Sequence, residues 1–334
     1  MATIKDVAKL AGVSVSAVSK AFNAYSDISG TTKDKIFQAA KALDYVPNKA
    51  AVELSSGRHP YIGLILHMLD AYTAINEHII RLLCGVHERA AEIKHELVLY
   101  TSHQIRDMEL SYVEFCRHHS LIGAIIHGVD VADKHMADLS ESDIPCVMID
   151  HVRMGKSTAS IAVDNCRAAE DVMDLLYSAG HRKICHIMGY EGYVTDQRKQ
   201  GVLLSARKNM IPSTDIIFVK GDFREDVAYE STKKILNMHP DLRAIFAASD
   251  IMALGAQRAI IEHGYMPGKD FSLVGFDGLS TLQYTTPPIA TVFQDFHEMG
   301  RLGVDTLLRI AKGQSFAPVN HVRHTLIERG SIRQ

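Results

Sequence analysis

Thr3-Ile4-Lys5-Asp6-Val7-Ala8-Lys9-Leu10-Ala11-Gly12-Val13-Ser14-Val15-Ser16-Ala17-Val18-Ser19-Lys20 opens the chain with two short helical patterns separated by a break. Ile4, Val7, Ala8 and Ala11 recur at i, i+3, i+4 and i+7, the stripe of one buried helix face. Gly12-Val13-Ser14 interrupts the stripe, and Ser14 is a good N-cap for a second helix that buries Val15, Val18 and Phe22. Ile36, Ala39, Ala40 and Leu43 mark a third helix, with Ser29 or Thr31 as its cap and Pro47-Asn48 beyond its end. Two short helices joined by Ala11-Gly12-Val13-Ser14 make a helix-turn-helix, a unit whose second helix can enter the major groove of DNA. The outward face at the start of that helix presents Ser16, Ala17 and Lys20. Serine bonds base edges or phosphate, and lysine donates to guanine O6 and N7. On pattern alone, a small basic helical subdomain with no DNA partner is an equally open reading.

Charge favours a polyanion partner for this head. Residues 1–58 hold seven Lys and one Arg against four Asp and one Glu, a surplus of three positive charges on a chain whose net charge is −3. The rest of the chain is therefore acidic. With 334 residues, 47% of them hydrophobic, the chain has enough apolar content for two or three cored domains and too much for disorder. No apolar run reaches the roughly 18 residues of a membrane span. Met1-Ala2-Thr3-Ile4-Lys5-Asp6 lacks the features of a secretory signal, and the five cysteines (84, 116, 146, 166 and 185) contain no C-x-x-C pair. These features predict a reduced, cytoplasmic protein without a disulfide framework, a metal or a cofactor.

Residues 47–60, ending in Gly57-Arg58-His59-Pro60, read as a hinge and linker after a head of residues 1–46. From Tyr61 onward short apolar runs alternate with amphipathic stretches. The runs are Ile62–Leu66, Leu97–Tyr100, Ile122–Ile126, Cys146–Ile149, Ile184–Met188, Ile216–Val219, Ala244–Ala248 and Leu273–Phe276. Between them lie helical patterns over Glu77–Ile93, Ala168–Ser178, Arg198–Asn209 and Ala228–Asn237. Such alternation predicts right-handed βαβ units, and its length fits two doubly wound parallel-sheet lobes. Ligands bind such sheets beyond the carboxyl ends of their strands, where this chain places His67, His127, Asp150-His151, Tyr190, Ser249-Asp250 and Asp277.

The opening string, continued by Ala42-Leu43-Asp44-Tyr45-Val46-Pro47-Asn48 and then Leu54, closely resembles the N-terminus of the lactose-repressor (LacI/GalR) family of bacterial transcription regulators. Family-like stretches recur at Ala179-Gly180-His181-Arg182, Gly221-Asp222-Phe223, Ala253-Leu254-Gly255-Ala256, Val274-Gly275-Phe276-Asp277 and Pro288-Ile289-Ala290-Thr291-Val292. The resemblance implies that Val15, Ser16 and Lys20 read bases, and that Ser14, Ser19, Asn23, Ser29, Thr32 and Tyr45 contact phosphates. It places Asn48, Ala51 and Leu54 in a hinge helix whose Leu54 wedges into the minor groove. Ala17 stands where the family usually has Thr, and Lys20 replaces the usual Arg and its two-pronged donor geometry. Val52-Glu53 replaces Arg-Ser.

For residues 61–334 the resemblance implies a periplasmic-binding-protein-like core that binds an effector and dimerises. Its N-lobe is expected at about 61–161 and 292–320, and its C-lobe at about 162–291 and 321–334. Asp150, Arg198, Phe223, Ser249, Asp277 and Gln294 match effector-binding positions. Carboxylates accept hydroxyl protons, arginine donates twice, and an aromatic ring covers the C–H face of a sugar. Ser249 stands where an Asn usually reaches the ligand. The connection from Gly63 to Gly85, with His67, Tyr72 and Asn76, is longer than the family's usual one. The cleft-side histidines, His127 and His151 among them, raise a phosphorylated or anionic effector as a further option.

Enzyme signals are weak. Gly155-Lys156-Ser157 matches the end of a P-loop, but position 150 is Asp where that motif needs Gly. Cys116-Arg117-His118-His119 lacks the further ligands of a metal site. The resulting expectation is a homodimeric, operator-binding repressor controlled by a sugar-like molecule between the lobes, and not an enzyme. The alternatives are a nucleobase or nucleoside effector in the same architecture, or a sugar-binding protein without regulation.

Overall fold

The computed structural model describes residues 2–22, 27–46, 61–67, 77–128 and 133–333. The expected hinge at 47–60, with Asn48, Ala51 and Leu54, lies outside these residues, as do Asn23, Tyr72 and Asn76. The chain divides into two compact units, Met1–His59 and Pro60–Gln334.

In the first unit, α1 (Ile4–Ala11) is opened by a capping box: Asp6 N donates to Thr3 Oγ1, and Asp6 Oδ2 accepts from Thr3 N at 2.9 Å. Gly12 closes it at φ 66°, a left-handed cap that glycine adopts without strain. Ser14 Oγ accepts from Ala17 N at 3.1 Å and so starts α2 (Val15–Phe22). Ser29, not Thr31, caps α3 (Gly30–Ala42), accepting from Thr32 N at 3.3 Å. Val7, Ala8, Val18, Ala21, Ile36, Ala39 and Ala40 form the core. One expectation fails here. Val15 is 41% exposed, because α1 and α3 cover only the Val18–Ala21 side of α2. Phe22 sits at the core's edge, its ring 5.3 Å from Phe37 and 6.0 Å from Tyr45.

The second unit holds two six-stranded sheets. In chain order its elements are β1 (Tyr61–Leu66), α4 (Glu77–Glu92), β2 (Glu96–Thr101), α5 (Ser102–Asp107), α6 (Tyr112–His118), β3 (Leu121–His127), β4 (Cys146–Ile149) and β5 (Thr158–Val163). There follow α7 (Asn165–Ser178), β6 (Ile184–Met188), α8 (Tyr193–Lys208), β7 (Ile216–Lys220), α9 (Glu225–Met238), β8 (Ala244–Ala247), α10 (Asp250–Glu262) and β9 (Ser272–Asp277). The chain finishes with β10 (Ala290–Phe293), α11 (Phe296–Ala311), β11 (Val319–Val322) and β12 (Thr325–Ile327).

Sheet A runs β2-β1-β3-β4-β5-β11 and sheet B runs β7-β6-β8-β9-β10-β12. All neighbours are parallel except β10 and β12. Each sheet reverses its strand order once, between β1 and β3 or between β6 and β8, the switch point at which doubly wound sheets open a crevice. The chain crosses between sheets after Val163, Phe293 and Val322, a few residues beyond the lobe boundaries expected from sequence.

Candidate functional site

Two regions bring chemistry-bearing residues together. In the first unit, α2 presents Val15 and Ser16 to solvent, with Ser19 and Lys20 half-buried beside them. The Lys20 ammonium pairs with Asp27. Ser14 and Ser29 accept through their hydroxyl oxygens at the helix caps. Ser29 Oγ also lies 2.8 Å from Thr32 Oγ1, so both hydroxyls gather at the N-terminus of α3, where backbone N–H groups favour an anion. Tyr45 is half-buried against Phe22.

The second region is a cavity of about 330 Å³ between the two lobes. Its polar lining comes largely from strand ends. His67 follows β1, His127 ends β3, and Asp150-His151 follow β4. From sheet B come Tyr190, Phe223 and Ser249 after β6, β7 and β8, Asp277 at the end of β9 and Gln294 after β10. All six residues expected at an effector site line this one cavity, Arg198 of α8 included.

Arg198 organises the C-lobe wall. It is 2% exposed, its Cζ lies 3.5 Å above the Phe276 ring, Nε donates to Asn165 Oδ1 at 2.9 Å, and Nη1 donates to Ala248 O. Burial draws its pKa down while Asp277, Asp150 and Asp250 hold it up. Burial likewise pushes Asp150 up to about 7, an effect Arg198 opposes and Asp277 reinforces. For Asp277 burial wins over Arg198 and the Gln294 hydrogen bond, to about 6. Gln294 Nε2 donates to Asp277 Oδ1 at 2.9 Å. That leaves Gln294 Oε1 and Asp150 Oδ1 buried without a partner among the described residues, two acceptors on the cavity wall. Asp150 and Asp277 both sit at positive φ (55° and 120°), backbone strain of the kind that collects at binding sites. Ser249 caps α10, accepting from Met252 N at 3.3 Å, and keeps its hydroxyl proton to offer. Asp250 is structural: it accepts from Leu279 N at 2.7 Å and Thr291 Oγ1 at 2.6 Å.

The N-lobe wall is different in kind. His78 lies 5.8 Å from His127, and both pack on Phe296, at 5.3 and 5.9 Å. Burial lowers His78 to about 3, helped by the charges of His127 and Arg81, and lowers His127 to about 4. Both imidazoles are therefore neutral at pH 7. His78 and Phe296 escaped the strand-end rule because they stand at the starts of α4 and α11. The lobes are also tied directly. Glu77 Oε2 accepts from Ser280 N at 2.9 Å and from Ser280 Oγ at 3.0 Å, and Arg81 Nη1 donates to Gly278 O at 3.3 Å.

Comparison with known proteins adds independent findings. Residues 3–48 match the model of the lacI family of bacterial regulatory proteins, and residues 173–332 match that of a periplasmic binding protein-like domain. The chain is 31% identical over 337 residues to the HTH-type transcriptional repressor PurR of Serratia proteamaculans, covering 99% of this chain and 97% of that protein. It is 26% identical over 309 residues to catabolite control protein A of Priestia megaterium, covering 92% of each. A lac repressor dimer bound to operator and the anti-inducer ONPF superposes with a TM-score of 0.86 at 25% identity, covering 100% of this chain and 99% of that one. Among the described residues no helix is long and apolar enough to cross a membrane.

Proposed function

The chain belongs to the lacI family of bacterial regulatory proteins, and we propose that it is a homodimeric transcriptional repressor whose hold on operator DNA is set by a neutral sugar bound between its lobes. For the DNA partner the support is the α2 surface, with Val15, Ser16 and Lys20 at its outward start. A lac repressor dimer on its operator shares the fold. Two copies related by a two-fold axis would meet the two half-sites of a pseudo-palindrome.

One observation carries the effector reading: the buried Asp150 Oδ1 and Gln294 Oε1, without partners among the described residues, in the cavity that Phe223 also lines. A ligand that satisfies them brings hydroxyl donors and a C–H face, which is the chemistry of a sugar. Electrostatics speaks against an acidic or phosphorylated ligand. Among the described lining residues Arg198 is the one permanent cation, it already faces the carboxyls of Asp150 and Asp277, and burial keeps the imidazoles of His78 and His127 neutral. His78 and His127 thus form an apolar, uncharged stretch of the wall and not an anion cradle. Regulation requires the sugar to prefer one lobe arrangement over the other, by about 1–3 kcal/mol.

Operator binding by variants tests the DNA half. Lys20→Ala is expected to relax discrimination between operator and mutated sites by about 1–3 kcal/mol, whereas Thr32→Ala weakens all sequences alike. Equal, sequence-blind losses from both would refute the assignment of α2 as the reading helix.

A further inference from the structure

Beyond the residues that touch a ligand, Gly189 stands out. It follows β6, and a Cβ built on it would lie 2.1 Å from both Cε2 and Cζ of Phe223 and 2.7 Å from Cδ2. The three atoms nearest that Cβ all belong to this one ring. The backbone of Gly189 is not at positive φ, so the local conformation raises no objection to a side chain. A side chain there would have to displace the Phe223 ring.

The ring could yield only by swinging about its own side-chain torsions, because the turn that carries it is locked. Gly221 N and Asp222 N both donate to Met188 O, at 2.8 and 3.1 Å, tying the turn to the end of β6. Arg224 N donates to Gly221 O at 2.9 Å, and the two central residues, Asp222 and Phe223, both have φ 53°. Two successive positive φ values are the handedness of a type I′ turn, which asparagine and glycine favour and a bulky aromatic does not. Tyr190 braces the ring edge-on, 5.0 Å away at 83°. A strained turn that carries a phenylalanine, fastened against a residue with no side chain, is a device for holding an aromatic face in one place.

We infer that Gly189 is the positioning residue for Phe223: its missing side chain is the seat on which the ring stands as a preset stacking face of the cavity. The inference deepens the sugar reading and rests on it. The face is in place before the ligand arrives, so binding spends nothing on ordering it.

A double-mutant cycle on the full chain tests the seat. Gly189→Ala is expected to lower the melting temperature of the natural chain by several degrees and to leave that of Phe223→Ala unchanged. Each chain is then titrated with D-glucose, D-galactose, D-ribose and cellobiose. The sugar that binds the natural chain should bind Gly189→Ala at least tenfold more weakly, and Gly189→Ala should add nothing to the loss caused by Phe223→Ala. Equal thermal losses in both backgrounds overturn the inference. So does a Gly189→Ala chain with natural affinity when Phe223→Ala has lost it. If Phe223→Ala itself binds as the natural chain does, or no sugar binds the natural chain, the sugar reading has failed and the inference falls with it.

Discussion

The two lobes share a strand order and differ in what they place at the strand ends. Sheet B finishes its strands with a charge network: Arg198 buried between Asp150, reaching over from sheet A, and Asp277, with Gln294 and Ser249 at the margin. Sheet A finishes with imidazoles, of which His127 packs with His78 on Phe296 and is held neutral by burial. One wall is rich in polar groups with unfilled bonding capacity. The other is aromatic and uncharged. Topology therefore fixes where the crevice lies, and the residues at strand ends and helix starts make one side rich in polar groups and the other aromatic.

The largest break in this contrast comes from Arg198→Ala. It strips two buried carboxylates of their cation, undoes the bonds to Asn165 and Ala248, and uncovers Phe276. A loss of about 3–5 kcal/mol in C-lobe stability and complete loss of effector response are expected, read by denaturant unfolding and by the change of operator affinity with effector. A variant of natural stability would show that the network is dispensable.

The two walls also titrate in opposite directions. Asp150 and Asp277 have folded pKa values raised to about 7 and about 6, above their ordinary value of 3.8, so the folded state holds extra protons. Their stabilisation is complete at low pH and is lost as pH rises through 6 to 7. Asp150→Asn with Asp277→Asn should flatten that alkaline-side loss. His78 and His127 have pKa values lowered to about 3 and about 4, so their stabilisation is present above 6.5 and lost as pH falls toward 3. His78→Phe with His127→Gln should remove part of the acid-side loss; His181 and His186, also lowered by burial, retain the rest. Melting temperature against pH reads both effects, and identical profiles for the two double variants would erase the contrast between the walls.

The smallest effect concerns the tie between lobes. Glu77→Gln weakens the bonds to Ser280 across the divide, where the groups are partly exposed, so a change of about 0.5–1 kcal/mol is expected. It should appear as a few-fold shift in the effector concentration at which operator affinity changes. An unshifted midpoint would mean that this tie is indifferent to lobe arrangement.

Much of this was legible in the residues. Strand ends read from apolar alternation named His67, His127, Asp150, Tyr190, Ser249 and Asp277, because parallel strands buried on both faces announce themselves as continuous apolar runs. β5 did not: Thr158-Ala159-Ser160-Ile161-Ala162-Val163 is wholly buried, yet its small side chains give no such run. β11 and β12 are short edge strands, half-exposed, and equally quiet. His78 and Phe296 reach the cavity from helix starts, which depends on how the lobes face each other and on no local pattern. Val15 misled because a helical stripe says which residues share a face and not how far the neighbouring helices extend over it.

A thermal-shift screen of the natural chain against neutral monosaccharides and disaccharides, sugar phosphates and purines tests the central claim most directly, because a ligand that binds the folded state raises its melting temperature. A rise with one class of neutral sugar, absent in Asp150→Asn and in Phe223→Ala, is the predicted result. A rise with a sugar phosphate or a purine, or one with a sugar that both variants keep, would contradict it.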